Sequence, residues 1–246
     1  ELRRILIEPE RFNRDKDYNI INIEEREFHY LNRVMRLKNN DKLLVSDGCG
    51  NLWVVIFTGS HYLKIISKLQ DSILLEKRKL PFIGLAVVIP KKGFEDILRM
   101  TTEIGVDKIQ PLISYRSDVK ITNLKDRWRS IIRESFEISE RLWQPILYEP
   151  ISFHDWLKTK KSNSLYSIAA TRQPELTDLK SSLDISYKKQ DIIWIAIGPE
   201  GGWTNNELLD CKDSGFKFVK LGDSILRTST AAIAAINSIS SWRDSR

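Results

Sequence analysis

Cysteine is nearly absent from this 246-residue chain: Cys49 and Cys211 stand far apart, with no Cys-x-x-Cys pair. That excludes a disulfide framework and fits a reducing cytoplasmic compartment. Histidine is as sparse. His29, His61 and His154 form no ligand pattern with the cysteines, so neither a zinc site nor another metal centre is expected. No uninterrupted apolar run approaches the roughly 20 residues that cross a bilayer. The opening Glu1-Leu2-Arg3-Arg4 lacks a signal-peptide core, so no membrane association is expected. Two phosphate-binding signatures are missing too, Gly-x-x-x-x-Gly-Lys-Ser/Thr and Gly-x-Gly-x-x-Gly, which excludes a P-loop and a dinucleotide fingerprint. There is no internal repeat and no low-complexity stretch.

What is present describes a folded protein. A hydrophobic content of 41% and seven Trp support a real core and argue against disorder. The 39 Lys and Arg exceed the 33 Asp and Glu, giving +6. An excess of that size suits a basic surface, and it suits a polyanionic partner where the charges cluster.

The pattern divides into a β-rich module over 1–75, a charged linker over 76–81 ending in Pro81, and an α/β region over 82–246. In the first, Phe28, Leu31, Val34 and Met35 have helical spacing and predict one helix over 24–37. Strands are expected at 42–46, 52–57, 62–66 and 73–76, with Asp47-Gly48-Cys49-Gly50-Asn51 as a hairpin turn, and together they suggest a small barrel or sandwich. After Pro81, strands at 82–89, 106–113, 164–170, 191–197 and 216–221 alternate with helices at 94–104, 124–141, 153–160, 207–213 and 231–242. The apolar run at 82–89 is continuous, the mark of a strand buried on both faces, and the alternation implies a mostly parallel sheet covered by helices on both sides.

Two strands end in loops suited to a ligand. Ile192 to Ile197 runs into Gly198-Pro199-Glu200-Gly201-Gly202, and Phe216 to Leu221 runs into Gly222-Asp223-Ser224-Ile225-Leu226-Arg227. Two such loops at strand ends, close in sequence, are how an α/β sheet builds a small-molecule pocket. The first offers amides and carbonyls at close range, suited to an adenine or ribose edge or a phosphate, and equally to a tight strand-to-helix connection. In the second, Ile225 and Leu226 form a candidate apolar clamp. Thr228, Ser229 and Thr230 are natural N-caps of the last helix. Arg227 is not needed for capping, and a cation is mildly disfavoured at a helix N-terminus, so it has another task, such as meeting a phosphate or a developing negative charge.

These residues resemble a known family. The runs IAIGPEGGWTNNEL and LGDSILRTSTAAIAA are similar to the C-terminal signature of the SPOUT methyltransferases, closest to the RsmE type, which forms 3-methyluridine in small-subunit (16S) ribosomal RNA. HYLNRVMRLKNNDKLLVSDG resembles that family's PUA-like RNA-binding module, PKKGFEDILRMTTEIGVDKIQPLISYRS its first strand–helix–strand unit, and RWRSIIRESFEISER its Glu-Gln helix. The resemblance implies an α/β C-terminal SPOUT domain with a mostly parallel sheet and a deep trefoil knot, an N-terminal PUA-like barrel, a homodimer, and S-adenosylmethionine as cofactor. The implied cofactor contacts are Ile197, Gly198, Pro199, Glu200, Gly201, Gly202, Leu221, Gly222, Ile225, Leu226, Thr228, Thr230 and Ala231. The chain departs from the family at Ser229 (usually Glu), Ile138 (Gln), Trp143 (Arg), Met100 (Lys) and Tyr115 (Glu).

Methylation at uridine N3 needs a proton removed and negative charge stabilised on the ring. Arg227 is the candidate for the second role, and Glu200, Asp223 and Glu137 remain open for the first. Arg33, Arg36, Lys91, Lys92 and Arg141 are the candidate RNA contacts. Two other functions stay open at this stage: a related enzyme acting on transfer RNA or a ribose 2′-hydroxyl, and a non-catalytic ribosome-assembly factor.

Overall fold

The computed structural model describes residues 2–12, 19–67, 71–117, 125–174 and 176–246. The chain forms two compact units, Glu1–Arg78 with Phe136–Gln144, and Lys79–Ser135 with Pro145–Arg246. A linear division at 76–81 misses that the segment 136–144 packs within the first unit. There Glu137 Oε1 accepts the Leu6 backbone N–H at 2.8 Å, and the Gln144 N–H reaches the Gly48 carbonyl at 3.0 Å.

The first unit contains β1 (Arg4–Leu6), β2 (Ile20–Asn22), α1 (Glu25–His29), β3 (Lys42–Ser46), β4 (Asn51–Phe57), β5 (Tyr62–Ile65) and β6 (Leu74–Leu75). These strands form one mixed sheet in the order β1-β3-β4-β5-β2, with β6 on β4. Alternation sends Leu43, Val45, Trp53, Val55, Phe57, Leu63 and Ile65 into one core. The hairpin turn forms as expected, with Asp47 Oδ1 accepting from Cys49 N at 2.8 Å and Asn51 N at 3.0 Å. The expected helix over 24–37 is corrected. It is α-helical only to His29 and continues as a π-helix over Tyr30–Val34. The Met35 N–H bonds the Tyr30 carbonyl, and that widened turn leaves Val34 60% exposed while Leu31 and Met35 stay buried.

The second unit runs β7 (Phe82–Val88), α2 (Phe94–Ile104), β8 (Lys108–Ile113), α3 (Lys125–Ile138), β9 (Ile146–Leu147), β10 (Ile151–Ser152), α4 (Phe153–Lys158), β11 (Ser164–Ala169), β12 (Thr177–Asp178), α5 (Leu179–Ser186), β13 (Ile192–Ile197), α6 (Asn205–Asp213), β14 (Lys217–Lys220) and α7 (Thr228–Asp244). The last turn of α3, from Phe136, belongs to the first unit. Leu124, the expected start of α3, lies outside the described residues. The sheet order is β10-β8-β7-β13-β11-β14-β12, with β9 on β8, and each of its pairings is parallel.

The central strands are buried on both faces, and the two-residue period sorts their side chains. Ile83, Leu85, Val87, Ile193, Ile195 and Ile197 join a core with α2, α5 and α7. Ala86, Val88, Trp194 and Ala196 join a second core with Phe153 and Trp156 of α4 and Cys211 of α6. Gly84 in β7 pairs with Trp194 in β13, and a Cβ there would lie 2.4 Å from the indole, so only glycine fits. The alanines of α7 allow close packing, and Ser240 Oγ donates to the Ile104 carbonyl at 3.0 Å. Below them, Asp107 Oδ2 accepts from Arg243 Nη1 and from the Ile83 N–H, each at 2.8 Å. Among the described residues, no helix is long and apolar enough to cross a membrane.

Candidate active site

Both C-terminal loops open at carboxyl ends of parallel strands, β13 and β14, which flank β11 in the sheet, where α/β sheets place their ligands. They meet in one cavity of about 610 Å³ in the second unit. The loop after β13 turns back sharply, with Gly202 N–H bonding the Pro199 carbonyl at 2.9 Å and Gly202 at φ +70°. Trp203 then folds beneath it and donates Nε1–H to the Ala169 carbonyl at 3.0 Å. A Cβ at Gly198 would lie 2.9 Å from that indole, so the approach needs glycine. The capping box expected at α6 is present: Thr204 Oγ1 accepts from Glu207 N at 3.2 Å, and Glu207 Oε2 accepts from Thr204 N at 2.8 Å.

The start of α7 corrects one expectation. Thr228, Ser229 and Thr230 are not caps but its first turn. The N-cap is Arg227, extended at φ −65°, ψ 154°, with no side-chain cap bond. The Thr228 hydroxyl is drawn away from capping because it reaches the Gly198 carbonyl at 2.9 Å.

Of the residues singled out from the sequence, Ile197, Gly198, Pro199, Glu200, Gly201, Gly202, Leu221, Gly222, Ile225, Leu226, Arg227, Thr228 and Ala231 line the cavity. Thr230 does not; it is exposed on the first turn of α7. Arg33, Arg36 and Arg141 belong to the first unit and Lys91 and Lys92 to the second, and none of the five lines the cavity. Arg33 and Arg36 are exposed but not one regular turn apart, because the chain turns at Arg36 (φ +57°) and Leu37 N–H bonds the Leu31 carbonyl. Of the three carboxylates considered for proton transfer, only Glu200 lines the cavity. Glu137 serves the first sheet, and Asp223 pairs at 2.9 Å with Lys220, which holds its carboxyl below the usual range.

Two groups of lining residues carried no sequence signal. One is the segment 169–173 after β11, with Arg172 at φ +57°. The other is Arg116 in the turn after β8, whose Nη1 donates to the Gly201 carbonyl at 2.7 Å and the Trp203 carbonyl at 3.4 Å. With Lys220 and Arg227 these bring four cations into the lining, which holds one carboxylate, Glu200.

The fold and this cavity define a two-unit protein whose α/β half carries a nucleoside-sized pocket at the strand ends. The profile of the RNA methyltransferase domain matches residues 77–240, and that of the RNA methyltransferase PUA domain matches residues 23–66. The chain is 36% identical over 224 residues (87% of this chain, 71% of the relative) to ribosomal RNA small subunit methyltransferase E of Synechocystis sp.. It is 34% identical over 209 residues (85% and 84%) to the protein of that name from Rickettsia conorii. The crystal structure of ribosomal RNA small subunit methyltransferase E from Neisseria gonorrhoeae bound to S-adenosyl methionine superposes with a TM-score of 0.83, at 25% identity and 98% coverage of both chains. The chain belongs to the ribosomal RNA small subunit methyltransferase E family.

Proposed function

We propose that this protein uses S-adenosylmethionine to methylate a specific uridine at N3 in small-subunit (16S) ribosomal RNA. The observation that carries the reading is the single cavity built from both C-terminal loops and joined by the Thr228–Gly198 bond, in a chain of this family. The cavity suits the cofactor. Its loops present backbone amides and carbonyls, and Ile197, Leu226 and Ala231 give apolar walls. Gly202 and Gly222 line it at φ +70° and +143°, so the backbone itself forms that part of the wall with no side chain over it. The holding residues are Ile197 to Gly202, Leu221, Gly222, Ile225, Leu226, Thr228 and Ala231. When bound, S-adenosylmethionine supplies an activated methyl on a sulfonium.

The chain supplies position and electrostatics. Arg227 stabilises the negative charge that develops on the uracil ring. Glu200, the carboxylate of the lining, accepts the N3 proton. Arg33, Arg36, Lys91, Lys92 and Arg141 meet RNA phosphates, with the first unit as the RNA-binding module, so affinity falls steeply with salt. The family likeness extends this reading to a trefoil knot through the cavity loops and to a homodimer. The two free cysteines suit a reducing cytoplasm.

The test is to incubate the protein with unmodified small ribosomal subunits and methyl-labelled cofactor, then digest the RNA and identify the labelled nucleoside. Label in 3-methyluridine at one position is expected. Label on a ribose or on transfer RNA alone, or none at all, overturns the reading.

A further inference from the structure

Tyr115 is 88% exposed, the highest value among the exposed large apolar side chains of the described residues. The backbone that carries it is hydrogen-bonded on both sides. Within the turn, Ser117 N–H bonds the Ser114 carbonyl at 3.1 Å, and Ser117 Oγ accepts from Ser114 N at 2.9 Å while donating to the Ser114 carbonyl at 2.8 Å. The Tyr115 N–H points at Glu207 Oε1, 3.3 Å away, which ties the turn to α6. Two neighbours of Tyr115 reach the cavity: Arg116 lines it directly, and α6, to which the Tyr115 N–H is tied, contributes Asn205 and Leu208.

We infer that Tyr115 is a stacking platform for an unpaired base of the RNA substrate at the rim of this cavity. The inference rests on the RNA-methylating reading and assigns a substrate contact to it. A uridine must leave its stack before N3 is exposed, and its neighbours then need a surface in place of the lost one. An aromatic face accepts any base, and cations beside it take the flanking phosphates. Tyr115 has that company in Arg116, Arg172 and Arg227 around the same opening. A loop that orders only on binding loses backbone entropy, and here the turn's hydrogen bonds already hold the backbone.

The experiment compares the full-length chain with its Tyr115→Ala and Tyr115→Phe variants on unmodified 16S RNA. RNA affinity is read by equilibrium binding, KM and kcat by methyl transfer, and S-adenosylmethionine affinity by calorimetry. Base–aromatic stacking of the usual strength predicts that Tyr115→Ala weakens RNA binding and raises its KM roughly 5- to 100-fold, with kcat and cofactor affinity nearly unchanged. Tyr115→Phe keeps the ring and retains wild-type affinity. Unchanged RNA affinity in Tyr115→Ala overturns the inference, as does a Phe variant as weak as the Ala one. If the wild type transfers no methyl but Tyr115→Ala still loses RNA affinity and Tyr115→Phe keeps it, the methyltransferase reading falls while the stacking contact stands. If the wild type methylates and Tyr115→Ala is indistinguishable from it, the reverse holds.

Discussion

The Thr228 hydroxyl donates a 2.9 Å hydrogen bond to the carbonyl of Gly198, thirty positions earlier. One bond thus fastens the start of α7 to the glycine loop after β13, and both its partners line the cavity. Thr228 is 5% exposed, so the bond is shielded from water. Replacing Thr228 by Val keeps the shape and removes the donor. A buried carbonyl left unpaired costs about 1–3 kcal/mol, and the loops that form the pocket lose their fastening. Calorimetry is expected to show weaker S-adenosylmethionine binding for Thr228→Val and near wild-type binding for Thr228→Ser. Equal affinities for all three proteins would mean that the bond does not order the pocket.

Arg227 caps α7 through its backbone alone, which leaves the guanidinium available at the cavity. Removing a preorganised charge from developing negative charge typically costs about 10²–10³ in rate. Arg227→Ala is therefore expected to lose turnover by at least that factor while binding cofactor normally, as measured by methyl transfer beside calorimetry. A wild-type rate would remove Arg227 from the chemistry.

Glu200 is the carboxylate among the cavity-lining residues, which also include Arg116, Arg172, Lys220 and Arg227. As proton acceptor it contributes on the order of 10²–10⁴ to the rate. The isosteric Glu200→Gln should lower kcat by such a factor and leave the KM for RNA nearly unchanged. A kcat within about twofold of the wild type is outside that range and would leave proton removal to water or to the cofactor's own groups.

These local chemistries are why the cavity is legible in the sequence. A Pro-Glu-Gly-Gly turn and a hydroxyl-rich helix start announce themselves within a few residues, and the continuous apolar runs of β7 and β13 declare a sheet buried on both faces. What escaped depends on partners far along the chain. Arg116 looks like any surface arginine until the Gly201 carbonyl, 85 positions away, receives its N–H. The helix α5 buries only Leu179, Ser182 and Leu183, too little periodicity to stand out, though Asp178 caps it by accepting from Ser181 N at 3.0 Å. The π-turn at Tyr30–Val34 is likewise a tertiary outcome, since helical spacing alone points Val34 inward.

Asp107 and Arg243 form an ion pair whose side chains are 5% and 8% exposed. The same carboxylate oxygen takes the Ile83 N–H, so one group joins the starts of β7 and β8 to the end of α7. Breaking a buried pair leaves a stranded charge and costs roughly 3–5 kcal/mol. Asp107→Ala is expected to destabilise the second unit by that amount in denaturant unfolding. A loss below about 1 kcal/mol would place the pair in the weak, solvent-screened class.

Cys211 is fully buried on α6 in the core with Trp156 and Phe216, and burial, with the nearby carboxylates of Asp210 and Glu207, pushes its thiol up to about 12 from an ordinary 9.0. A raised folded value means that the native state holds the proton more tightly than the unfolded chain does. The resulting stabilisation is complete below pH 9 and drains away as pH climbs from 9 towards 12, because only the unfolded chain then gains by ionising. Other groups titrate in that window, so the comparison must be differential. Cys211→Ala lacks the ionisation, and the stability difference between wild type and this variant should shrink across those pH values in denaturant unfolding. The native thiol should also resist alkylation at pH 8 and react only on unfolding. A pH-independent difference, or rapid labelling of Cys211 in the folded protein, would mean that α6 opens to solvent and does not seal that core.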